Sequence, residues 1–320
     1  MPNDRELDAT HNTEAVLTDH YPGMAAIDET ILNLETDAIS PDGEVLKRPF
    51  GPLFWVAIGW VSLIILLAIL ANLLPLQNPN YGNYNILNAG PSLQHWLGTD
   101  DLGRDLFSRI VFGSRVSLVV GFGATFISIV AGGTLGLLSG YKGGALDSTM
   151  NAASFIILAF PAIIAVIALV AVWAPPNLWK ITLILGVGTI PLMYRVIRAT
   201  TLAFANRDFV VAAKTMGATT PRILFREILP NVVPIGVTFG LISVAGLIVL
   251  EGSLAFLGLS VPLPTPSWGN MIAEGSNNGL LSINPLIMMW PALSMFLLLL
   301  SINLIGDRLR QRLDVREGLL

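Results

Sequence analysis

RDFVVAAKTMGATTPRILFREILP, residues 207–230, decides the fold. It is a polar, helix-forming insert between two long apolar runs. Phe209 to Met216 is long enough for about two helical turns. Ala212 and Ala213 keep that helix thin enough to lie in a groove on another protein. Gly217 suits the left-handed residue that closes a helix. Thr219 or Thr220 is placed to cap a second helix, with Pro221 in its first turn. Pro230 is predicted to end that helix before the next apolar run. Arg207, Lys214, Arg222 and Arg226 give the insert a basic surface. Such an insert is a surface offered to a soluble partner; the plain alternative is an ordinary helical hairpin.

Outward from the insert, the chain reads as lipid-facing helix. Apolar residues make up 53% and charged residues only 12%, the latter about half the share of an ordinary soluble chain. Runs of about 20 apolar residues cross a bilayer core of about 30 Å. Six candidates lie near 52–74, 116–140, 150–173, 179–199, 232–256 and 286–305. Six crossings put both termini on one side. With the N-terminus inside, the cytoplasmic segments hold most of the Lys and Arg, among them Lys47, Lys142, Arg198, Lys214 and Arg308. The opposite segments hold only Arg104, Arg109, Arg115 and Lys180. The positive-inside rule therefore assigns both termini and the 207–230 insert to the cytoplasm.

Residues 1–46 carry eleven acids against one base, a net −10, so the remainder is +6. This segment is expected to be a disordered cytoplasmic tail, since it has too little apolar surface to pack. It lacks the basic start and short apolar core of a signal peptide. A short amphipathic helix over 24–37 is its only structural suggestion. The expected division is tail 1–46, first span with an extracytoplasmic segment 47–115, and a five-helix core 116–316 containing the loop 200–230.

Catalytic signatures are missing. There is no GxxxxGK[ST] phosphate loop, HExxH or GxSxG, and no cysteine. The histidines, His11, His20 and His95, lie outside the spans. The chain is expected to be non-catalytic, with no cofactor or metal of its own and no nucleic-acid partner. Glu251, in the fifth span, is the deep carboxylate. Burying one costs roughly 2.5–3.5 kcal/mol on insertion scales. It is expected either to pair with Arg104, Arg109 or Arg115, or to line the outer cavity as a gate or contact. Pro161, after Phe160, is expected to kink the third span; both residues are pore or gate candidates. Gly132, Gly136 and Gly140 form a small-residue stripe for close packing, within the chain or against a partner. Three prolines and Trp268 in Pro262–Asn270 suit interface anchoring or partner docking. An ion-coupled secondary transporter is the main rival reading. Its material is thin: Glu251, with Arg195 and Arg198, which can snorkel to the interface.

Three further blocks accompany the insert: HWLGTDDLGRDLFSRIVFGSRVSL (95–118), SLAFLGLSVPLPTPSWGNMIAEG (253–275) and INLIGDRLRQRLDVR (302–316). With these, the chain resembles the permease subunits of bacterial ABC importers, and more narrowly the dipeptide/oligopeptide permeases. The insert is similar to that family's cytoplasmic EAA loop. Two departures stand inside the loop: Val211 replaces the usual Glu, and Glu227 a common His. At the start of the third span, Asn151 and Ser154 occupy places often held by Arg and Asp. The resemblance implies an all-α membrane protein with six transmembrane helices and the type I ABC importer permease fold. It implies an inner-membrane subunit forming half of a pore for peptide uptake. The partners would be a second homologous permease, two ATPase subunits that carry ATP and Mg, an extracytoplasmic substrate-binding protein and membrane lipid. The ATPase-coupling residues would be Asp208, Val211, Ala212, Ala213, Lys214, Gly217, Arg222, Arg226, Glu227 and Pro230. A non-peptide cargo such as a metal chelate fits the same family.

Overall fold

The computed structural model describes residues 50–276 and 279–317, with side chains through residue 312. The acidic tail 1–46, with its expected disorder and the stretch 24–37, lies outside the described residues. Among the described residues, regular structure is helical apart from one antiparallel bridge between Thr99 and Asp105. The helices are α1 (Pro52–Leu70), α2 (Leu106–Lys142), α3 (Gly144–Leu158), α4 (Ala162–Val172), α5 (Leu178–Ala205) and α6 (Asp208–Thr215). A run over Thr220–Phe256 follows, called α7 here. Then come α8 (Trp268–Ser276), α9 (Leu280–Ile283) and α10 (Leu286–Glu317). Five of them are long and apolar enough to cross a membrane: α1, α2, α5, α7 and the Leu286–Arg312 part of α10. The bent pair α3–α4 makes a sixth crossing if counted as one span.

α2 and α5 approach closely, and the glycine stripe explains it. A Cβ built on Gly132 would stand 2.7 Å from Ile190 O. One on Gly136 would stand 2.7 Å from Tyr194 O, and one on Gly140 2.9 Å from Arg198 O. The stripe is thus used within the chain, where backbones meet directly. The register rises along both helices, so α2 and α5 run parallel. The α3–α4 pair must then carry the chain back across between them. α7 packs on α2 in the opposite sense, with Gly121 against Ile248 and Gly240 against Ile129. α1 buries a narrow face, Phe54, Ala57, Ile64 and Ala68, the last two packing with Leu118, Val244, Ile248 and Leu298.

Three expectations about elements are corrected. α2 begins at Leu106, ten residues before the predicted start. Hydropathy misses this turn because Arg109, Ser114 and Arg115 lie in it. Asp105 caps it by accepting from Ser108 N–H at 2.8 Å, which supplies an orphan donor with a partner. The third span is not kinked but broken: α3 and α4 meet at 87°. Pro161 has no N–H to continue the ladder, and it stands as the N-terminal flank of α4 in extended conformation. Pro230 does not end its helix. Residues Ile223–Ile228 adopt a π-helical stretch immediately before it. The wider turn gives the pyrrolidine ring room that an α turn would deny.

Candidate functional site

The insert folds as a helix–turn–helix elbow at one end of α5 and α7. α6 starts at Asp208, whose charge suits the positive end of the helix. It closes with Met216 N–H on Ala212 O, Gly217 N–H on Lys214 O and Ala218 N–H on Ala213 O, each at 3.0 Å. The last two bonds are the paired 5→2 and 6→1 bonds of a Schellman turn, and Gly217 takes φ +79°. Thr219 flanks the next helix, with Pro221 in its first turn, as expected, but its side chain makes no cap bond.

The two alanines have different surroundings. Ala213 is buried with Val210 among Leu137, Phe204, Ile223, Leu224 and Ile228. Ala212 is exposed, beside Val211 and Lys214. The inner face of α6 is therefore fastened into the chain's own core, and only the outer face is open. That open surface includes Met216 (80% exposed), Phe225 (67%) and Val211 (48%). Arg207, Asp208, Arg222, Arg226 and Pro230 are exposed around it, and Glu227 is half-buried. The Lys214 ammonium stands 5.1 Å from the centroid of the Tyr141 ring, a cation–π contact that ties α6 to the end of α2. Apolar centre and basic rim are the make-up of a protein-docking patch.

Close to this elbow, α3 is held to α5 by a charged cluster that sequence reading missed. Arg198 clamps Asp147 through Nε and through Nη2, the latter at 2.6 Å from Oδ2. Ser139 Oγ donates to Asp147 Oδ1 at 2.6 Å and lies 2.9 Å from the Tyr194 hydroxyl. Arg195 stacks over Phe155 at 4.3 Å. Neither arginine snorkels away from the protein. Asp147, an acid in the first turn of α3, was the available signal. Asn151 and Ser154, where Arg and Asp are often found, lie four and seven positions after Asp147 in the same helix.

The other end of the bundle brings two of the quoted blocks together. Glu274 Oε2 accepts from Arg109 Nη2 at 2.7 Å and from Arg104 Nη2 at 3.1 Å. Arg104 Nε also donates to Asp100 Oδ2 at 2.6 Å. Burial pushes the Glu274 carboxyl above the ordinary range, while Arg109 and Arg104 pull it back. Trp268 is fully buried, and its indole N–H donates to Ile110 O at 3.0 Å. His95 Nδ1 lies 3.0 Å from Asp105 Oδ1. Trp268 is thus a packing anchor of the protein itself, not a membrane-interface anchor.

Glu251 departs from the expected arginine pairing. It pairs with none of the three arginines, because Arg104 and Arg109 are taken by Asp100 and Glu274, and Arg115 by the end of α1. It is 1% exposed. Ser260 Oγ donates to its Oε1 at 2.5 Å, fastening the segment after α7 back onto the helix. Next to it, α7 and α8 touch backbone to backbone: a Cβ on Gly269 would stand 2.7 Å from Gly252 Cα. Phe160 and Pro161 are exposed at the α3–α4 break. Among the described residues, no group of three His, Cys, Asp or Glu is placed to hold a metal.

Known proteins resemble this chain in sequence and in fold. Residues 132–317 match the family described as binding-protein-dependent transport system inner membrane component. The glutathione transport system permease protein GsiD of Pectobacterium atrosepticum is 39% identical over 261 residues, 81% of this chain and 86% of that protein. The dipeptide transport system permease protein DppC of Alkalihalophilus pseudofirmus is 36% identical over 280 residues, 87% of this chain and 90% of that protein. A chain of the MetNI methionine ABC transporter, solved in an inward-facing conformation, superposes with a TM-score of 0.53 at 22% identity. That superposition covers 64% of this chain and 96% of that one, and it shows the common fold of an ABC importer permease. With most of its length matched in sequence and its helical core matched in structure, the chain belongs to the family of binding-protein-dependent transport system inner membrane components.

Proposed function

We propose that this chain is one of two transmembrane permease subunits of an ATP-driven peptide uptake system in a bacterial cytoplasmic membrane. Both termini and the 207–230 elbow face the cytoplasm. A homologous permease completes the pore, two ATPase subunits dock on the elbows, and an extracytoplasmic binding protein delivers cargo. The chain itself is non-catalytic; ATP and Mg belong to the ATPases. The relatives named for glutathione and dipeptide transport support a short-peptide cargo.

The observation that carries this reading is the two-faced build of α6. Its outer face is open and rimmed with positive charge, while Val210 and Ala213 are locked in the core. A motor gripping the open face moves α5 and α7 with it, because the Schellman turn and the buried residues leave no slack. Differential contact in two nucleotide states is then enough to shift a bistable pore. Asp208, Val211, Ala212, Lys214, Gly217, Arg222, Arg226, Glu227 and Pro230 form or shape the docking surface, with Ala213 its inward fastening. Phe160 and Pro161 line the path between the two permeases. Glu251 acts on the outer gate through the segment that it fastens.

The test is uptake of labelled glutathione and dipeptides into vesicles holding the purified complex with its binding protein. Uptake that needs internal ATP and the ATPase subunits supports the proposal. Uptake driven by an ion gradient alone assigns the chain to secondary transport instead. Labelling of Lys214 from outside intact cells would contradict the orientation.

A further inference from the structure

Three arginines stand near the outer end of α2, and one differs from the others. Arg104 and Arg109 share Asp100 and Glu274. Arg115 contacts no carboxylate among the described residues. Its Nε donates to Ala68 O, Nη1 to Asn72 Oδ1 at 3.0 Å and Nη2 to Ile69 O at 3.2 Å. Two of these acceptors are terminal carbonyls of α1, which supply only part of a negative charge. A guanidinium has five N–H groups, so two remain after these bonds.

Arg115 also joins two cavities along the α1–α2 seam. Outward lies a cavity of about 700 Å³ with amide side chains in its lining, Asn72, Gln77, Asn78 and Asn80. Inward runs a groove of about 400 Å³ between Ile65 and Ile69 on one wall and Leu118, Val119 and Phe122 on the other. Apart from the arginine, the groove is apolar. The stretch from Val116 to Tyr141 contains no charged residue. Arg115 and Lys142 therefore stand about 40 Å apart along the helix, the distance between the headgroup layers of a bilayer. The amide-lined cavity falls at headgroup depth and the groove at acyl depth.

We propose that the α1–α2 seam binds an anionic phospholipid, with its phosphodiester on Arg115 and one acyl chain in the groove. The phosphate supplies the full counter-charge that α1 does not, and guanidinium and phosphate suit each other geometrically. The amides of the outer cavity match the hydroxyls of a glycerol headgroup. A zwitterionic lipid offers the same phosphate but brings its own cation to a site that already holds one.

The test is native mass spectrometry of the complex purified from membranes through a tag on this chain. It is delipidated, then given phosphatidylglycerol or phosphatidylcholine with the same acyl chains. Phosphatidylglycerol is expected to be retained at least about tenfold better, and Arg115→Gln is expected to abolish the difference. Because Arg115→Gln also releases the end of α1, Val119→Trp is the second variant. It fills the groove and leaves the arginine in place, and it is expected to lose the bound lipid at an unchanged melting temperature. Equal retention of the two lipids by the unaltered protein overturns the proposal, as does undiminished phosphatidylglycerol on either variant.

Discussion

Arg109 and Glu274, 165 residues apart in sequence, meet at 2.7 Å with the arginine 1% exposed. The pair, shared with Arg104, clamps the start of α2 to α8. Removing the acid leaves two buried guanidiniums short of charge. Glu274→Ala is expected to cost about 3 kcal/mol, the usual penalty for breaking a buried pair from one side. Glu274→Asp should recover part of it. Thermal unfolding in detergent measures both, and a melting temperature unchanged in Glu274→Ala would mean that the clamp contributes nothing.

Gly136 and Gly133 are neighbours on α2 with opposite surroundings. A Cβ on Gly136 meets Tyr194 O at 2.7 Å and Arg198 N at 2.9 Å, whereas one on Gly133 meets nothing within 4 Å. Gly136→Ala must push α5 away and is expected to cost about 1–3 kcal/mol by overpacking. Gly133→Ala is expected to be neutral or slightly stabilising, since alanine is the better helix former. Equal melting temperatures for the two variants would contradict the α2–α5 register.

Gly217 has no atom within 4 Å of where a Cβ would go. Its constraint is therefore the backbone, at φ +79°. Gly217→Val is expected to strain the turn by about 1–3 kcal/mol and to uncouple ATP hydrolysis from uptake while the protein stays in the membrane. Gly217→Asn, which tolerates the left-handed region, is expected to keep coupling. Uptake per ATP hydrolysed in proteoliposomes decides it; intact coupling in the valine variant would remove α6 from the coupling path.

Glu251 serves as the acceptor for the buried Ser260 hydroxyl. Glu251→Gln keeps an acceptor oxygen and is expected to change stability little. Glu251→Ala leaves the hydroxyl without its partner and opens a void, costing about 1–3 kcal/mol for the polar group alone. If the glutamine variant unfolds as readily as the alanine variant, the charge itself is what matters. In that case the fastening by Ser260 is not the explanation.

Much of the coupling elbow was legible in residues 207–230. Helix length, the left-handed glycine and the proline in the first turn of the second helix are local properties, and short-range sterics set them. The fate of Pro230 was not legible. Whether a proline stops a helix depends on whether the preceding turn can widen, and Ile223–Ile228 does so while Ile223, Leu224 and Ile228 are held in the core. Pro161, chemically identical, breaks its helix at a site where Phe160 and its neighbours are exposed and not held in the core.

The sequence by itself determined that the chain is helical and apolar enough to cross a membrane repeatedly, and that a polar elbow interrupts the crossings. Both follow from transfer free energies and backbone preferences that each residue carries with it. Only the tertiary structure decided which charges neutralise which, which glycine face meets which helix, and that Glu251 takes a serine and not an arginine. Those outcomes depend on partners far along the chain, such as Asp147 with Arg198 and Arg109 with Glu274. Hydropathy assigns each charge a cost and is blind to the neighbour that removes it.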